Sequence, residues 1–485
     1  MSTDASTPAG TTGTDLPRSA PSAQGVDARG IASFLGAVEA ADGVELHSLA
    51  VLRHGAVVAE GWWAPYAPQR LHLLYSVSKS FTATALGLAV AEGLVDLDAT
   101  VLSYFPELDA DVSDPRSRSM RVRDVAAMAS GHAGETLEQA AADPTGDVVR
   151  GFLRLPPQAD PGTLFAYNQP CTYSLAAIVQ RVTGETLTGY LRPRVLDPLG
   201  VGETAWLTDD RGREIGFSGL HATTDALAKL GQLHLQRGRW GQRQLLPEQW
   251  VDQVGRPHVD TAAAHPDPDG QLGYGYQFWP SRHGYRADGA YGQFSLVLPE
   301  QDAVVALTGQ TTTTRVLLDA VWEHLVPALA DPVPPADAAA HDAALAGRLR
   351  TLQLDAPPAL APPRELRPLV LTPAPVSAPA TLERVRVERA GTAGESWTLV
   401  LEDGPDRLTA ALGTGWVTTG PLATSWAPAG AGALRVDVVF VETPHRLQLE
   451  LDPDAGTFRG TWRTEPLHGP PLAALRAPRP PRAGS

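Results

Sequence analysis

The fold of this chain is decided by the stretch Tyr75-Ser76-Val77-Ser78-Lys79-Ser80-Phe81-Thr82. It places Ser76 and Lys79 three residues apart, at the start of a predicted helix that ends near Gly93. Residues three apart share one helical face, so the two side chains should lie side by side at the helix N-terminus. The unpaired N–H groups of the first turn can hold a developing oxyanion there. The stretch therefore predicts a serine nucleophile with a neighbouring base.

Lysine is rare in this chain, which makes Lys79 conspicuous. Among 39 basic residues only Lys79 and Lys229 are lysines. Arginine cannot act as a base, whereas a lysine can once its pKa falls from about 10.4 to near neutrality, at a cost of about 4 kcal/mol. The helix dipole supplies at most ~1–2 kcal/mol. We therefore expect burial of Lys79 to supply the rest.

Length and composition restrict the class of protein. A chain of 485 residues is expected to form two or three domains. The net charge of -15 argues against nucleic acid or an anionic membrane as a partner. One cysteine, Cys171, allows no intrachain disulfide, and no apolar run is long enough to span a membrane. A cytoplasmic location is the expectation.

The composition changes along the chain and predicts four segments. Residues 1–27, rich in Ser, Thr, Ala, Gly and Pro, are expected to be a disordered tail, followed by a catalytic domain over 28–330. Residues 331–364 form a Pro- and Ala-rich linker with one helix. About seven short strands over 365–485 predict a small, lipocalin-like β-barrel or a sandwich. We expect this last domain to be separable from the chemistry.

The catalytic domain is predicted to combine helices with an antiparallel sheet. A helix begins near Ala28, a β-hairpin follows, and several helices lie between the Ser76 helix and Gly273. A run of consecutive antiparallel strands comes next, and the helix Leu317–Leu329 should cover the sheet. These strands are predicted at Tyr274–Trp279, Tyr285–Ala287, Gln293–Leu298 and Ala303–Gly309. The expected fold class is α+β with a C-terminal all-β domain.

Three stretches in this order resemble the serine β-lactamase and penicillin-binding-protein superfamily, in particular its class C-like esterase and amidase branch. They are Ser76-Val77-Ser78-Lys79, Phe165-Ala166-Tyr167-Asn168-Gln169 at the family's Y-x-N region, and Ala287-Asp288-Gly289-Ala290 at its K-T-G or H-x-G strand. The resemblance covers residues 28–330. It implies a β-lactamase/transpeptidase-like fold and an acyl-serine intermediate.

The resemblance also implies roles for individual residues. Ser76 would be the nucleophile, and Lys79 and Tyr167 would share the work of the base, with Tyr167 passing the proton to the leaving group. The backbone N–H groups of Ser76 and Ala290 would form the oxyanion hole. The remaining positions of these motifs would contact substrate: Asn168, Gln169, Ala287, Asp288 and Gly289.

Two positions depart from the family pattern. Gln169 stands where the family has asparagine, and Ala287 stands where it has lysine or histidine. Strand alternation is expected to turn the neighbouring Arg286 away from the site. The charge that would meet a substrate carboxylate is then missing, so a neutral ester or amide is the expected substrate.

We therefore predict a serine hydrolase that cleaves a small ester or amide through an acyl-enzyme. One alternative is acyl transfer to an amine, as in peptide-cyclising relatives of penicillin-binding proteins. Another is a ligand-binding protein with a degenerate site, which Gln169 and Ala287 leave open. The chain has no G-x-S-x-G elbow, dinucleotide fingerprint, P-loop or H-E-x-x-H motif, so neither a cofactor nor a metal is predicted.

Overall fold

The computed structural model describes residues 15–330, 336–361, 366–390, 396–430 and 432–479. Short 3₁₀ and π segments accompany the helices; one of them, Tyr75–Val77, leads directly into α2. The α-helices are α1 (Ala28–Ala40), α2 (Ser78–Ala91), α3 (Pro115–Ser119), α4 (Val122–Ala126), α5 (Leu137–Ala141), α6 (Val148–Arg154), α7 (Gln169–Thr183), α8 (Leu187–Leu191), α9 (Thr224–Leu235), α10 (Glu248–Val254), α11 (Thr314–Ala320), α12 (Val326–Ala328) and α13 (Ala338–Leu349).

The strands belong to two large sheets and two small ones. In chain order they are β1 (Glu45–Arg53), β2 (Ala56–Trp62), β3 (His72–Leu73), β4 (Ala205–Trp206), β5 (Leu220–Ala222), β6 (Arg239–Trp240), β7 (Arg243–Gln244), β8 (Trp279–Ser281), β9 (Gly284–Gly289), β10 (Gln293–Leu298), β11 (Ala303–Gln310), β12 (Leu369–Pro373), β13 (Leu382–Ala390), β14 (Ser396–Asp403), β15 (Asp406–Leu412), β16 (Val417–Thr419), β17 (Leu422–Gly430), β18 (Ala433–Phe440), β19 (Arg446–Asp452) and β20 (Thr457–Trp462).

The first large sheet has the order β2-β1-β11-β10-β9-β8, and all its neighbours are antiparallel. Each face of the sheet has its own apolar core. One core contains the buried residues of α2, α7 and α9, and the other contains those of α1 and α11. This arrangement confirms the predicted antiparallel sheet with helices.

One predicted strand of this sheet is mostly absent. Residues 274–278 are not in a strand, and β8 begins only at Trp279. Gln277 adopts a left-handed φ of 63°, which no strand residue adopts, so the chain turns at this point. The apolar and aromatic composition predicted a strand, but these side chains are buried in the helical core instead.

Helix α2 lies at the centre of the first core. Every residue from Ser78 to Ala89 is buried, so the helix is surrounded by protein on all sides. Its small side chains allow close approach; a Cβ at Gly87 would lie 2.3 Å from Nε1 of Trp250. The helix end that carries Ser76 and Lys79 is therefore held by the core around it.

The C-terminal sheet has nine strands in the order β15-β14-β13-β12-β20-β19-β18-β17-β16, with β12 and β20 parallel. Its two ends approach each other, because Ala411 N–H donates to Thr419 Oγ1 at 3.0 Å, and the result is a near-barrel. Two strands are additional to those predicted. β12 lies in a Pro-rich segment, and β17 is buried on both faces over Leu422–Pro428 and so lacks polar alternation.

The two halves of the chain share a core and several polar contacts. Ala423, Val439 and Val441 of the C-terminal sheet pack into the same cluster as α1 and β1. Arg446 forms an ion pair with Glu45 at 2.8 Å, and both side chains are at most 9% exposed. These contacts argue against a separable C-terminal domain. The division of the chain at residues 330 and 365 remains a proposal.

The structure of residues 15–27 contradicts the prediction of a disordered tail over this part of the chain. Leu16 is buried, Arg18 forms an ion pair with Glu60 at 3.0 Å, and Pro21–Gln24 makes a 3₁₀ turn. Residues 1–14 lie outside the described residues, as do 331–335 and 362–364 of the predicted linker. The linker helix is confirmed as α13, and Arg348 binds Glu39 of α1 at 2.7 Å.

Candidate active site

The turn before α2 presents Ser76 to a cavity. Tyr75 adopts a left-handed φ of 48°, which is rare outside glycine and marks a sharp change of chain direction. The Ser78 hydroxyl donates to the Tyr75 carbonyl at 2.6 Å, and Leu74 N–H donates to the Leu220 carbonyl at 2.8 Å. These bonds hold the turn, and Ser76 is half-buried at its tip.

Lys79 lies beneath Ser76, as the spacing predicts. Its Nζ is 3.0 Å from Ser76 Oγ and 2.8 Å from the Phe217 carbonyl oxygen, and the residue is 1% exposed. Burial lowers the pKa of Lys79 to about 7, and the charges of Glu135 and Asp288 oppose this only partly. The expected burial of this lysine is therefore present.

Tyr167 completes a group of three side chains. The Lys79 Nζ lies 4.7 Å from the centre of its ring, and Tyr167 lines the cavity together with Ser76. Burial raises the pKa of the Tyr167 phenol above its ordinary value, so the group is protonated at neutral pH. The ring stacks on Trp279, with centroids 5.8 Å apart and an interplanar angle of 20°.

Strand β9 presents the opposite face from the one predicted. Arg286 and Asp288 line the cavity, whereas Ala287 is fully buried in the core beneath the sheet. The prediction that Arg286 points away is therefore wrong, and so is the placement of Ala287 against substrate. Alternation along the strand holds, but its phase is shifted by one residue, which exchanges the two faces.

The Arg286 guanidinium is held in place by several contacts. Its Nε donates to Asp288 Oδ2 at 2.8 Å, and an Nη donates to Ser281 Oγ at 2.7 Å. The guanidinium also lies over the Trp279 ring at 5.8 Å. Burial raises the pKa of the Asp288 carboxyl, and the positive charge of Arg286 opposes that change. The cavity therefore contains a positive charge that is paired with a carboxylate.

Gly289 and Ala290 occupy the end of β9 next to the serine turn. A Cβ on Gly289 would lie 2.3 Å from the Leu74 carbonyl oxygen, so only glycine allows this close approach. Gly289 itself is not among the residues that line the cavity, contrary to the prediction. Ala290 does line the cavity, together with Ser76.

The two amides after Tyr167 differ in position. Asn168 is fully buried, and its Oδ1 accepts from the Thr136 backbone N–H and hydroxyl, both at 2.9 Å. It does not line the cavity, so its predicted contact with substrate is wrong. Gln169 does line the cavity, and its buried Oε1 has no hydrogen-bond partner within the described residues.

The cavity has a volume of about 640 Å³ and opens to solvent. Sequence reasoning missed three contributions to the site: Trp279, the Phe217 carbonyl, and Leu467 from the C-terminal part of the chain. None of them carries a motif, because each reaches the site through long-range packing. Within the described residues no cluster of three or more His, Cys, Asp or Glu could hold a metal ion.

Comparison with known proteins agrees with this geometry. Residues 34–330 match the sequence model of the family described as Beta-lactamase, which is more than half of the chain. The chain therefore belongs to the Beta-lactamase family, and it is a hydrolase of that family. Among the helices that the structure describes, none has the length and apolar character needed to cross a membrane.

Two curated relatives illustrate the similarity. The 6-aminohexanoate-dimer hydrolase of Paenarthrobacter ureafaciens is 30% identical over 283 residues, which are 53% of this chain and 70% of that protein. Lovastatin esterase of Penicillium rubens is 27% identical over 162 residues, 28% of this chain and 40% of that one. A solved structure, EstCE1, a hydrolase with promiscuous acyltransferase activity, has a TM-score of 0.51 and 18% identity over 61% of this chain and 99% of its own; it supports the fold alone.

Proposed function

We propose that this protein hydrolyses a small ester or amide through an acyl-serine intermediate on Ser76. The observation that carries the proposal is the contact of 3.0 Å between Ser76 Oγ and a fully buried Lys79 Nζ. A lysine with a pKa of about 7 is half neutral at neutral pH. It then has a lone pair for the serine proton while its N–H bonds the Phe217 carbonyl.

Acylation begins when Ser76 Oγ attacks the substrate carbonyl carbon and its proton moves to Lys79 Nζ. The carbonyl oxygen becomes an oxyanion, which the backbone N–H groups of Ser76 and Ala290 stabilise. Because the Tyr167 phenol is protonated, it serves as a proton donor to the leaving oxygen or nitrogen. The Lys79 ammonium then restores the proton that Tyr167 has lost.

Deacylation reverses these roles with water in place of the leaving group. Water attacks the acyl carbon and loses a proton to the Lys79–Tyr167 pair, and Ser76 Oγ leaves and is reprotonated. The product acid departs and the free enzyme is restored. An amine that replaced water would give acyl transfer, so product analysis with and without added amine measures the partition.

The relatives support an ester or amide as substrate. One is named for the amide-linked dimer of 6-aminohexanoate and the other for an ester. Gln169 lines the cavity, and the Arg286–Asp288 pair provides charge of both signs there. A small polar substrate with an apolar part fits this lining.

Labelling with a fluorophosphonate followed by peptide mass spectrometry tests the proposal. The wild-type protein should be labelled at Ser76 and should hydrolyse p-nitrophenyl acetate, and Ser76→Ala should do neither. Ser80→Ala is the matched control, because the Ser80 hydroxyl bonds the Gln277 carbonyl at 2.9 Å and does not line the cavity. Labelling that persists in Ser76→Ala would refute the assignment of the nucleophile.

A further inference from the structure

One large apolar side chain in the cavity comes from the C-terminal part of the chain. Leu467 lines the cavity together with Ser76 and Ala290, and it is 44% exposed. It belongs to the segment that follows β20 and lies outside the region matched by the family model, which ends at residue 330. Nothing in the proposed chemistry requires a leucine at this point.

The segment around Leu467 is attached to both sides of the oxyanion site. The Tyr75 hydroxyl donates to His445 Nε2 at 2.5 Å. His445 Nδ1–H donates to the Thr464 carbonyl at 3.0 Å, so Nε2 is free to accept. These bonds join the segment to the residue immediately before Ser76.

A second attachment involves the residue after Ala290. The Tyr291 hydroxyl donates to the Glu465 carbonyl at 2.6 Å. The Tyr291 ring also meets the Tyr75 ring edge-on, with centroids 5.3 Å apart. The segment around Leu467 is therefore bonded to the neighbours of both proposed oxyanion donors, and Leu467 lines the cavity in which the carbonyl attacked by Ser76 would lie.

The two sides of that carbonyl differ in chemistry. Tyr167, the proposed proton donor to the leaving group, lies on the side where Trp279 and Arg286 line the cavity. The segment that contains Leu467 is bonded instead to Tyr75, through His445, and to Tyr291. We propose that Leu467 determines acyl specificity, by forming the apolar wall against which the acyl chain of the substrate packs. This inference rests on the proposed acyl-serine chemistry at Ser76.

A partly exposed leucine in an open cavity provides a contact surface and does not block the site. Lengthening the acyl chain covers more of Leu467, and removal of apolar surface from water favours the longer substrate. A methylene in an enclosed apolar pocket changes kcat/KM by about tenfold or more, and a one-sided wall should give less. Shortening Leu467 should therefore reduce the preference for long acyl chains.

The test uses p-nitrophenyl acetate, butyrate and hexanoate, which share one leaving group. The hexanoate-to-acetate ratio of kcat/KM should fall about fivefold in Leu467→Ala and further in Leu467→Asp, with acetate itself within about threefold of wild type. Leu360→Ala is the matched control, because Leu360 is 68% exposed and lies outside the cavity. A ratio within about twofold of wild type in both Leu467 variants would overturn the proposal.

Two further measurements separate this inference from the function on which it rests. In a series of acetate esters with leaving groups of increasing length, kcat/KM should depend on leaving-group length in the Leu467 variants as it does in wild type. A change in that dependence in the variants would refute the assignment of Leu467 to the acyl side. Fluorophosphonate labelling of Ser76 should persist in every Leu467 variant. Labelling with an unchanged acyl preference refutes the specificity proposal alone, whereas no labelling of the wild type refutes both.

Discussion

At the scale of single residues, the site depends on the removal of Lys79 from water. Its Nζ contacts Ser76 Oγ and the Phe217 carbonyl, and both are neutral groups. Neutral partners stabilise an ammonium less than a carboxylate would, so desolvation dominates and lowers the pKa of Lys79. Lys229 is also buried, but it forms an ion pair with Asp225 at 2.7 Å. Of the two lysines, only Lys79 is thus suited to act as a base.

The first prediction concerns pH. If neutral Lys79 is the base, kcat/KM for p-nitrophenyl acetate should rise with pH and level off, with a midpoint near the pKa of about 7. Lys79→Arg should lose activity as completely as Lys79→Ala, because the guanidinium keeps the charge but does not release its proton. Full activity at pH 5, or a Lys79→Arg variant close to wild type, would show that Lys79 acts through its charge alone.

The second prediction concerns substrate charge and replaces the expectation based on Ala287. Asp288 neutralises Arg286 at 2.8 Å, so Asp288→Asn should leave an uncompensated guanidinium in the cavity at nearly constant shape. For two esters that differ only in a carboxylate, the anionic-to-neutral ratio of kcat/KM should rise about tenfold. Asp267→Asn is the control, because Asp267 lines the cavity without contacting Arg286. An unchanged ratio in Asp288→Asn would mean that substrate does not reach Arg286.

At the scale of elements, the site is a junction between the turn before α2 and the end of β9. Gly289 lets the strand approach the Leu74 carbonyl, which sets the distance between Ser76 and Ala290. The turn itself carries the strained φ of Tyr75, and the side-chain bonds of Ser78 and Tyr75 hold it. Two elements distant in sequence must therefore be placed accurately for an oxyanion hole to form.

Gly289→Ala tests this junction. The added Cβ would lie 2.3 Å from the Leu74 carbonyl oxygen, so the strand and the turn must move apart. A displacement of about 1 Å in a catalytic site costs about 10²-fold in rate, and we expect a loss of kcat of that order. Gly36→Ala in α1 is the control, since a Cβ there meets nothing within 4 Å. Normal kcat in a folded Gly289→Ala protein would show that the close approach of β9 to the turn does not determine the placement of Ser76 and Ala290.

At the scale of the whole molecule, the C-terminal sheet is part of the structure around the site. Segments that adjoin it contribute Leu467 to the cavity and His445 to Tyr75, and the sheet itself contributes apolar side chains to the core around α1. The Tyr66 hydroxyl donates to the Thr443 carbonyl at 2.9 Å across the same boundary. Removing the sheet would expose apolar surface and leave these polar groups unpaired.

We therefore expect that removal of the C-terminal part disrupts the rest of the protein, whereas removal of a separable domain would leave the rest folded. A chain ending at residue 355 should be insoluble or lack a cooperative unfolding transition, and the full chain should unfold in one transition in calorimetry. Val441→Ala is a milder test of whether the two halves fold together, because this fully buried residue lies in the core that they share. It should lower the melting temperature of the whole molecule. If the truncated protein were soluble and were labelled at Ser76, the C-terminal domain would be separable after all.

Acid should destabilise the whole molecule through its buried histidines. Burial lowers the pKa of His221, His234 and His445 to about 4 each, from an ordinary value of 6.5. Between these values the unfolded chain binds protons that the folded chain does not, so stability falls as pH decreases from about 6.5 to 4. Each histidine contributes a loss of up to about 3 kcal/mol.

Urea unfolding at several pH values between 7 and 4.5 measures this effect. The free energy of unfolding should decrease steadily over the range, and His234→Asn should reduce the slope because one titrating group is removed. His234 donates locally to the Leu230 carbonyl at 3.0 Å and lies outside the cavity, so the variant should stay active. A free energy of unfolding that does not change over this range would refute the prediction.

Features that depend on residues close together in the chain could be predicted from the sequence. Helical spacing placed Lys79 beside Ser76, and apolar periodicity placed the start of α1 near Ala28, where the structure shows Asp27 as the cap. These features depend on residues a few positions apart, which sequence spacing specifies directly. The antiparallel sheet and the all-β C-terminal part followed from alternation over longer stretches.

Tertiary structure alone decided the features that depend on distant parts of the chain. The phase of β9, which puts Arg286 and not Ala287 into the cavity, is set by pairing with β10, and a shift of one residue reverses every side chain. The pKa of Lys79 depends on which groups surround it after folding. Leu467 reaches the site because polar contacts attach its segment to Tyr75, through His445, and to Tyr291, almost 400 and about 175 residues earlier in the chain. No local pattern encodes such a contact, because its free energy exists only once both halves have packed.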